Sequence, residues 1–273
     1  MFQLDKNNNT YIIAEIGNNH EGNFELAKKL IKIAASCGCN AVKFQSIKPE
    51  LLVGNKNIKR LNQLKRFELT KDNYKELKRV SEIEKIDFLS TPFDLDSVDF
   101  LDKLVPAYKV SSGDLNYFQL LKKIALKFKP IILSTGMSTI PEIQSTIDFI
   151  KKIWEQNFKK YNTIYILHCV SAYPTSIDYA NLNALKDLSQ LGFPIGYSDH
   201  TIGTEAAIIA VSMGAKIIEK HFTISKTYSE FRDHQLSADP QEMKKLVSNI
   251  RMTEKLIGNK PKIPMDIEKE SLI

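Results

Sequence analysis

The sequence predicts a (β/α)8 TIM barrel, and three observations predict it. The chain has 273 residues, close to the roughly 250 of one α/β barrel and ample for a single large core. Eight short β-branched runs alternate with longer segments of helical period, the pattern of βα units that feed a parallel sheet. Each run also turns polar at its last residues, where barrel enzymes carry their chemistry. An open doubly wound sheet would share the alternation, but no G-x-G-x-x-G turn follows the first run and eight even units favour closure.

Taken in order, the first run is YIIAEIG from Tyr11, which carries Glu15 and leads into Asn18, Asn19 and His20. AVKFQS from Ala41 carries Lys43 and Gln45, and IDFLSTPF from Ile86 carries Ser90 and Thr91. AYKVSS from Ala107 gives Lys109, Ser111 and Ser112, with Asp114 just beyond. PIILSTG from Pro130 ends in Ser134 and Thr135, and TIYILHCV from Thr163 leads from His168 to Ser171 and Tyr173. PIGYSDH from Pro194 supplies Ser198, Asp199 and His200, and KIIEKHFT from Lys216 supplies Glu219, Lys220 and His221. Between them, apolar residues recur at helical spacing, as in Leu26, Leu30, Ile31 and Ala34 or Leu120, Leu121 and Ile124. The polar stretch from Leu51 to Thr70 is expected to be an enlarged loop. Residues 1–260 are assigned to the barrel and 261–273 to a tail or the start of a linker.

A net charge of +6 comes from lysines scattered over the helical segments, with no clustered, aromatic-interleaved strip, so nucleic-acid binding is not expected. A mildly positive field would instead steer anionic substrates. No apolar run is long enough to span a bilayer, and MFQLDKNNNT lacks the basic and apolar regions of a secretory signal. The expectation is a cytoplasmic protein without membrane contact. Cys37, Cys39 and Cys169 form neither a disulfide framework nor a C-x-x-C pair.

A charge pointing into a barrel costs several kcal/mol, on the order of a lost buried ion pair, unless it is paired, hydrogen-bonded or metal-bound. A ring of them therefore implies a site. Lys43 and Lys109, with Thr91, Ser112, Ser134 and Ser198, make a lining suited to a small phosphorylated carboxylate such as phosphoenolpyruvate. The turns Ser111–Gly113 and Ser134–Gly136 would let backbone approach an anion closely. His200 and His221 end neighbouring strands and can reach one metal ion, with Glu15, Asp233, substrate oxygens or water completing the shell. The alternative is that one histidine only hydrogen-bonds a carboxylate.

With these residues in place the chain resembles the sialic acid synthases, which condense phosphoenolpyruvate with an amino sugar to give nonulosonic acids. The likeness runs from Tyr11 to about Ile257, carried by AEIGNNHEGN, VKFQS, STPFD, YKVSSGD, PIILSTGM, LHCVSAYPT, GYSDHT and IEKHFT. It implies phosphoenolpyruvate contacts from Lys43, Thr91, Lys109, Ser112, Ser134 and Ser198. It also implies a divalent metal, manganese or magnesium, on His200 and His221, acceptor contacts from Gln45, Tyr173 and Asp233, and Glu15 as acid or base. A homodimer is implied as well.

The chain differs from the neuraminate type in three respects. Asp114 stands where that type has glutamate and Ser171 where it has asparagine, both counted with the substrate-binding residues here. SEFRDHQLSADP replaces a Gly-Pro-Asp loop, and no antifreeze-like domain follows the barrel in this sequence. Two other reactions fit a barrel with these residues: a deoxy-keto acid phosphate synthase, and an aldolase with a Schiff base on Lys109.

Overall fold

In the computed structural model, residues 9–53, 57–157, 163–259 and 261–271 are described. The strands are β1 (Tyr11–Gly17), β2 (Ala41–Ser46), β3 (Asp87–Pro92), β4 (Tyr108–Val110), β5 (Ile131–Ser134), β6 (Ile164–Cys169), β7 (Ile195–Asp199) and β8 (Ile217–His221). All the pairings are parallel, in the order β3-β2-β1-β8-β7-β6-β5-β4. The two ends, β3 and β4, lie side by side without a ladder, so the sheet closes on itself at an unpaired seam. The predicted barrel is present, with β4 shorter than its sequence run.

The helices are α1 (Phe24–Ser36), α2 (Pro49–Leu52), α3 (Ile58–Phe67), α4 (Lys71–Ile83), α5 (Leu95–Leu101), α6 (Phe118–Ala125), α7 (Ile140–Gln156), α8 (Ala184–Ser189), α9 (Glu205–Ser212), α10 (Arg232–Leu236) and α11 (Pro240–Ile257). Side chains that satisfy the first free amides fix several starts. Asn23 accepts from Leu26 N at 3.0 Å before α1, Thr70 and Asn73 form a capping box on α4, and Asp239 precedes Pro240 and pairs with Glu242 on α11. None of these helices is long and apolar enough to cross a membrane among the described residues.

The stretch expected to be a loop, Leu51 to Thr70, contains the end of α2 and all of α3. Asn57 caps α3 by accepting from Arg60 N at 3.1 Å, and Leu64 and Phe67 bury its inner face. Phe67 packs edge-on against Phe231 at 5.1 Å, tying α3 to the segment after β8. The helix is hard to read in sequence because most of its residues are Lys, Arg, Asn or Gln, and only a narrow stripe is apolar.

Strand alternation splits the core in two. One face of each strand packs under the helices, with Phe44, Phe88, Ile131, Ile166 and Ile218 fully buried there. The other face fills the barrel with Tyr11, Ile13, Ala41, Leu89, Ala107, Ile132, Tyr165, Leu167 and Ile217. At the amino-terminal end of that interior, Tyr11 Oη donates to Asp87 Oδ2 at 2.5 Å.

Candidate active site

Two residues further along each strand, on the same inward face, the filling changes from apolar to polar. Ile13 is followed by Glu15, Ala41 by Lys43, Leu89 by Thr91 and Ala107 by Lys109. Ile132 is followed by Ser134, Leu167 by Cys169 and Ile217 by Glu219. Parallel register places Glu15 beside both Lys43 and His221, and Ser198 beside Glu219. The hydrocarbon interior is therefore the floor of a site at the carboxyl ends of the strands.

Four buried charges sit on that floor. Lys43 Nζ is 2.7 Å from Glu15 Oε2 and 3.7 Å from Glu219 Oε2, and Lys109 Nζ is 3.6 Å from Glu219 Oε1. Hydroxyls complete the network: Lys43 donates to Thr91 at 3.1 Å, Lys109 to Ser134 at 2.7 Å and Ser198 to Glu219 at 3.0 Å. Burial pushes the Glu15 carboxyl up, and although Lys43 opposes this, Glu219 adds to it. Burial also acts upward on Glu219, but Lys109 and Lys43 together outweigh it and hold that carboxyl at about 2. Burial lowers Lys109, whereas the carboxylates of Glu15 and Glu219 overcome burial at Lys43 and raise it. The arrangement is one firmly ionised carboxylate, one carboxyl shifted towards neutrality and two cations.

Above the floor opens a cavity of about 390 Å³. Glu15, Lys43, Gln45, Thr91, Lys109, Ser112, Ser134, Ser171, Tyr173, Ser198, His200, His221 and Asp233, all singled out in the sequence, line it together. Asp114 is not among the lining residues: it accepts from the Ser111 hydroxyl at 2.7 Å, and burial raises its carboxyl. Two glycines shape the walls. Gly17 has a φ of +53° at a bulge in β1, and a Cβ there would stand 3.1 Å from Glu15 Oε1. At Gly136 a Cβ would lie 2.4 Å from Ser171 Oγ and 2.9 Å from Ser112 Oγ, so only glycine lets these three loops meet.

His221 ends β8 and His200 directly follows β7, its neighbour in the sheet. His200 and His221 have ring centres 5.5 Å apart, with the Tyr173 ring centred 4.2 Å from His200 and tilted 35° to it. His200 Nδ1 lies 2.8 Å from the Val170 carbonyl, which fixes Nε2 as its free nitrogen. Burial lowers the His200 imidazole, but the Cys169 thiol, the Val170 carbonyl and Glu219 together raise it. Burial and His200 hold His221 well below its ordinary value, and its buried Nδ1 has no hydrogen-bond partner among the described residues. No group of three or more His, Cys, Asp or Glu converges with metal-site geometry among those residues. Glu15 instead faces Lys43 at 2.7 Å, and Asp233 is bonded to Arg232 through Nε and Nη2, each at 3.0 Å.

A family model described as the NeuB family matches residues 30–262. The chain belongs to the NeuB family. It is similar to the N,N'-diacetyllegionaminic acid synthase of Campylobacter jejuni, 42% identical over 265 residues that cover 92% of this chain and 78% of that protein. The N-acetylneuraminate-9-phosphate synthase of Homo sapiens is 35% identical over 267 residues, covering 92% and 72%. Among solved structures, the sialic acid synthetase of Leptospira borgpetersenii superposes with a TM-score of 0.90 at 37% identity, covering 97% of this chain and 91% of that one.

Several lining residues of this NeuB-family cavity escaped the sequence reading. Glu219 was visible only as one polar strand end among many, yet period two from Ile217 puts it on the inward face with His221. Arg60, with Leu52 beside the same mouth, belongs to the segment expected to be a loop. Arg232, by contrast, stands in the SEFRDHQLSADP stretch that the sequence already sets apart, and it lies over the Tyr173 ring at 4.7 Å while pairing with Asp233.

Proposed function

We propose that this NeuB-family protein condenses phosphoenolpyruvate with an N-acetylated amino sugar and water, giving a nonulosonic acid and phosphate. The observation that carries the reading is the inner floor itself, where two lysines and a ring of hydroxyls face a cavity yet share only two carboxylates. A small dianion with a carboxylate and a phosphate can take up the cations' remaining donors.

C3 of phosphoenolpyruvate attacks the aldehyde carbon of the open-chain sugar, forming the new carbon–carbon bond and leaving cation character at C2. The former aldehyde oxygen takes up a proton as that bond forms; water adds at C2 and gives one proton to a carboxylate, and the C2 hydroxyl of the tetrahedral adduct gives up the other as the C2–O bond to phosphate breaks, leaving the 2-keto acid and phosphate. Lys43 and Lys109 stabilise the departing anion from below. Glu15, whose pKa is raised by burial, is placed to move the proton. Gln45, which donates to Glu15 Oε1 at 2.9 Å and accepts from Asn18 at 3.0 Å, orients that carboxyl.

His200 and His221 would hold a divalent cation, manganese or magnesium. Their buried, close-set imidazoles and the unpartnered His221 Nδ1 fit one, with water and substrate oxygens supplying the remaining ligands. When bound, such an ion supplies Lewis-acid polarisation of the aldehyde oxygen. Tyr173 and Asp233 border the outer cavity, where the sugar would sit. A homodimer belongs to the same proposal, and exposed Met137, Ile177, Tyr179 and Ile202 around the mouth are the apolar surface it would cover.

The test is phosphate release from phosphoenolpyruvate with and without an N-acetylated acceptor, before and after chelation. One phosphate per nonulosonic acid, acceptor-dependent and lost on chelation, is expected. A sugar adduct on Lys109 trapped by borohydride, without phosphate release, would establish the aldolase instead.

A further inference from the structure

One buried histidine has no part in the chemistry described above. His234 follows Asp233 directly in α10 and is fully buried, and both of its ring nitrogens are engaged. Nδ1 lies 2.6 Å from Thr223 Oγ1. Nε2 donates to Glu21 Oε1 at 2.9 Å, since a carboxylate only accepts. The same Glu21 oxygen accepts from the Ser229 hydroxyl, which in turn accepts from Phe231 N at 3.0 Å. One carboxylate from the loop after β1 thus holds the 229–234 stretch at both ends. Further along, Ser237 Oγ donates to the Asp233 carbonyl at 2.5 Å and accepts from Asn19 Nδ2 at 2.9 Å. Glu21 itself has a φ of +48°, the left-handed region that glycine or asparagine occupies at less cost. A glutamate placed in such a strained position points to a need for its side chain.

We propose that Glu21 and His234 are positioning residues that aim Asp233 at the acceptor sugar. The inference rests on the condensation reading above, in which Asp233 borders the outer cavity. Exposure within α10 separates the anchor from the residue it presents: the Arg232 side chain is 56% exposed, Asp233 10% and His234 0%. A helix of five residues is too short to hold its own orientation. His234 is its fixed point, and hydrogen bonds to both ring nitrogens set direction as well as place. Both Arg232 nitrogens bond the same Asp233 oxygen, Oδ1. Oδ2 has no hydrogen-bond partner among the described residues, which leaves it able to accept from a sugar hydroxyl. The loop that supplies Glu21 also supplies Asn18, which donates to Gln45 Oε1, and Gln45 donates to Glu15. A single loop therefore sets one carboxyl at the floor and another at the mouth of the same cavity. The rival role, in which Glu21 and His234 only keep the segment folded, predicts losses that do not depend on which substrate is measured.

The experiment measures both Michaelis constants by phosphate release, with whichever of N-acetylmannosamine or a 2,4-diacetamido-trideoxyhexose wild-type protein uses. The variants are Glu21→Asn, Glu21→Gln, Asp233→Ala and the Glu21→Asn, Asp233→Ala double substitution. Asparagine tolerates the left-handed backbone but is one methylene too short for these contacts, whereas glutamine keeps an oxygen that can accept from His234 and Ser229. Glu21→Asn should raise the acceptor constant about tenfold, with the phosphoenolpyruvate constant and the melting temperature near wild type, and Glu21→Gln should recover most of the loss. In the Asp233→Ala background Glu21→Asn should add nothing, because the residue it positions is gone. Calorimetric titration of phosphoenolpyruvate, which needs no turnover, should give one affinity throughout. If Glu21→Asn folds poorly, His234→Leu supplies the loss and His234→Gln, whose amide can still donate to Glu21, the recovery. Equal rises in both Michaelis constants, or losses that multiply in the double variant, would overturn the positioning role and make the pair scaffold. Both results leave the condensation chemistry standing. If neither acceptor releases phosphate with wild-type protein, the chemistry fails and the positioning role with it.

Discussion

Glu219 and Lys220 are neighbours in β8, both buried and both charged, and they belong to opposite kinds of network. Lys220 points outward beneath the helices and meets Asp199 at 3.0 Å, with both side chains fully excluded from solvent. Asp199 also accepts from Thr201 N and Oγ1 at 2.8 and 2.7 Å, and Lys220 donates to the Thr201 carbonyl. Glu219 points inward, shares its carboxylate between two lysines at 3.6 and 3.7 Å and a serine, and borders a cavity. The first network is saturated and sealed; the second is loose and open. Burial of charge alone does not mark a site, because a closed pair of this kind holds the β7–β8 exit together. Unspent hydrogen-bonding capacity facing a cavity does mark one.

The contrast breaks if the two networks respond alike to substitution. The largest expected effect is on turnover: Lys43→Met should lower kcat by on the order of a thousandfold while costing little stability, since Glu15 is already shifted towards its neutral form and can take a proton. Steady-state kinetics and a thermal melt check both halves. Lys220→Met should do the reverse, destabilising by roughly 3–5 kcal/mol because Asp199 is left charged in a sealed place, with turnover per folded molecule retained. Glu15→Gln sharpens the picture within the open network. Turnover should fall about a hundredfold with phosphoenolpyruvate still bound, and an unchanged kcat would remove Glu15 from proton transfer.

Acid titration gives a smaller effect with a definite sign. Glu219 is held below the ordinary carboxylate range, at about 2. The stability it contributes is complete above its unfolded pKa and is lost as pH falls towards the folded value. Glu219→Gln should therefore flatten the acid limb of the unfolding curve, and an unaltered limb would show that the lysines do not hold this carboxylate. The smallest effect is local. Asn57→Ala removes the cap of α3 at a cost of about 1 kcal/mol, and should raise the acceptor Michaelis constant more than that for phosphoenolpyruvate, because α3 carries Arg60.

The floor was legible in the sequence because strands impose period two. Once YIIAEIG and AVKFQS are read as strands, Glu15 and Lys43 must follow Ile13 and Ala41 on one face, and the structure places them 2.7 Å apart. The walls were less legible, since they are built from loop and helix residues whose positions depend on tertiary packing. Arg60 hid in a polar helix held by two buried residues, Leu64 and Phe67. Asp114 is a related case: in the turn after β4 its carboxylate accepts from the Ser111 hydroxyl, which no periodicity predicts. Nor could spacing tell that Arg232 engages Asp233. Glu219 and Lys220 show the limit most plainly, since neighbouring charges at a strand end look alike until the partners on each face are known.

The most direct test of that distinction is calorimetric titration of phosphoenolpyruvate into wild-type, Lys109→Met and Lys220→Met proteins at matched temperature and salt. Lys109→Met should weaken binding about a hundredfold, the order expected for removing one buried cation from an anion site. Lys220→Met should bind as wild type does while melting at a lower temperature. Equal weakening by both substitutions, or undiminished binding by Lys109→Met, would contradict the claim that the open inner network is the binding site and the sealed outer pair is scaffold.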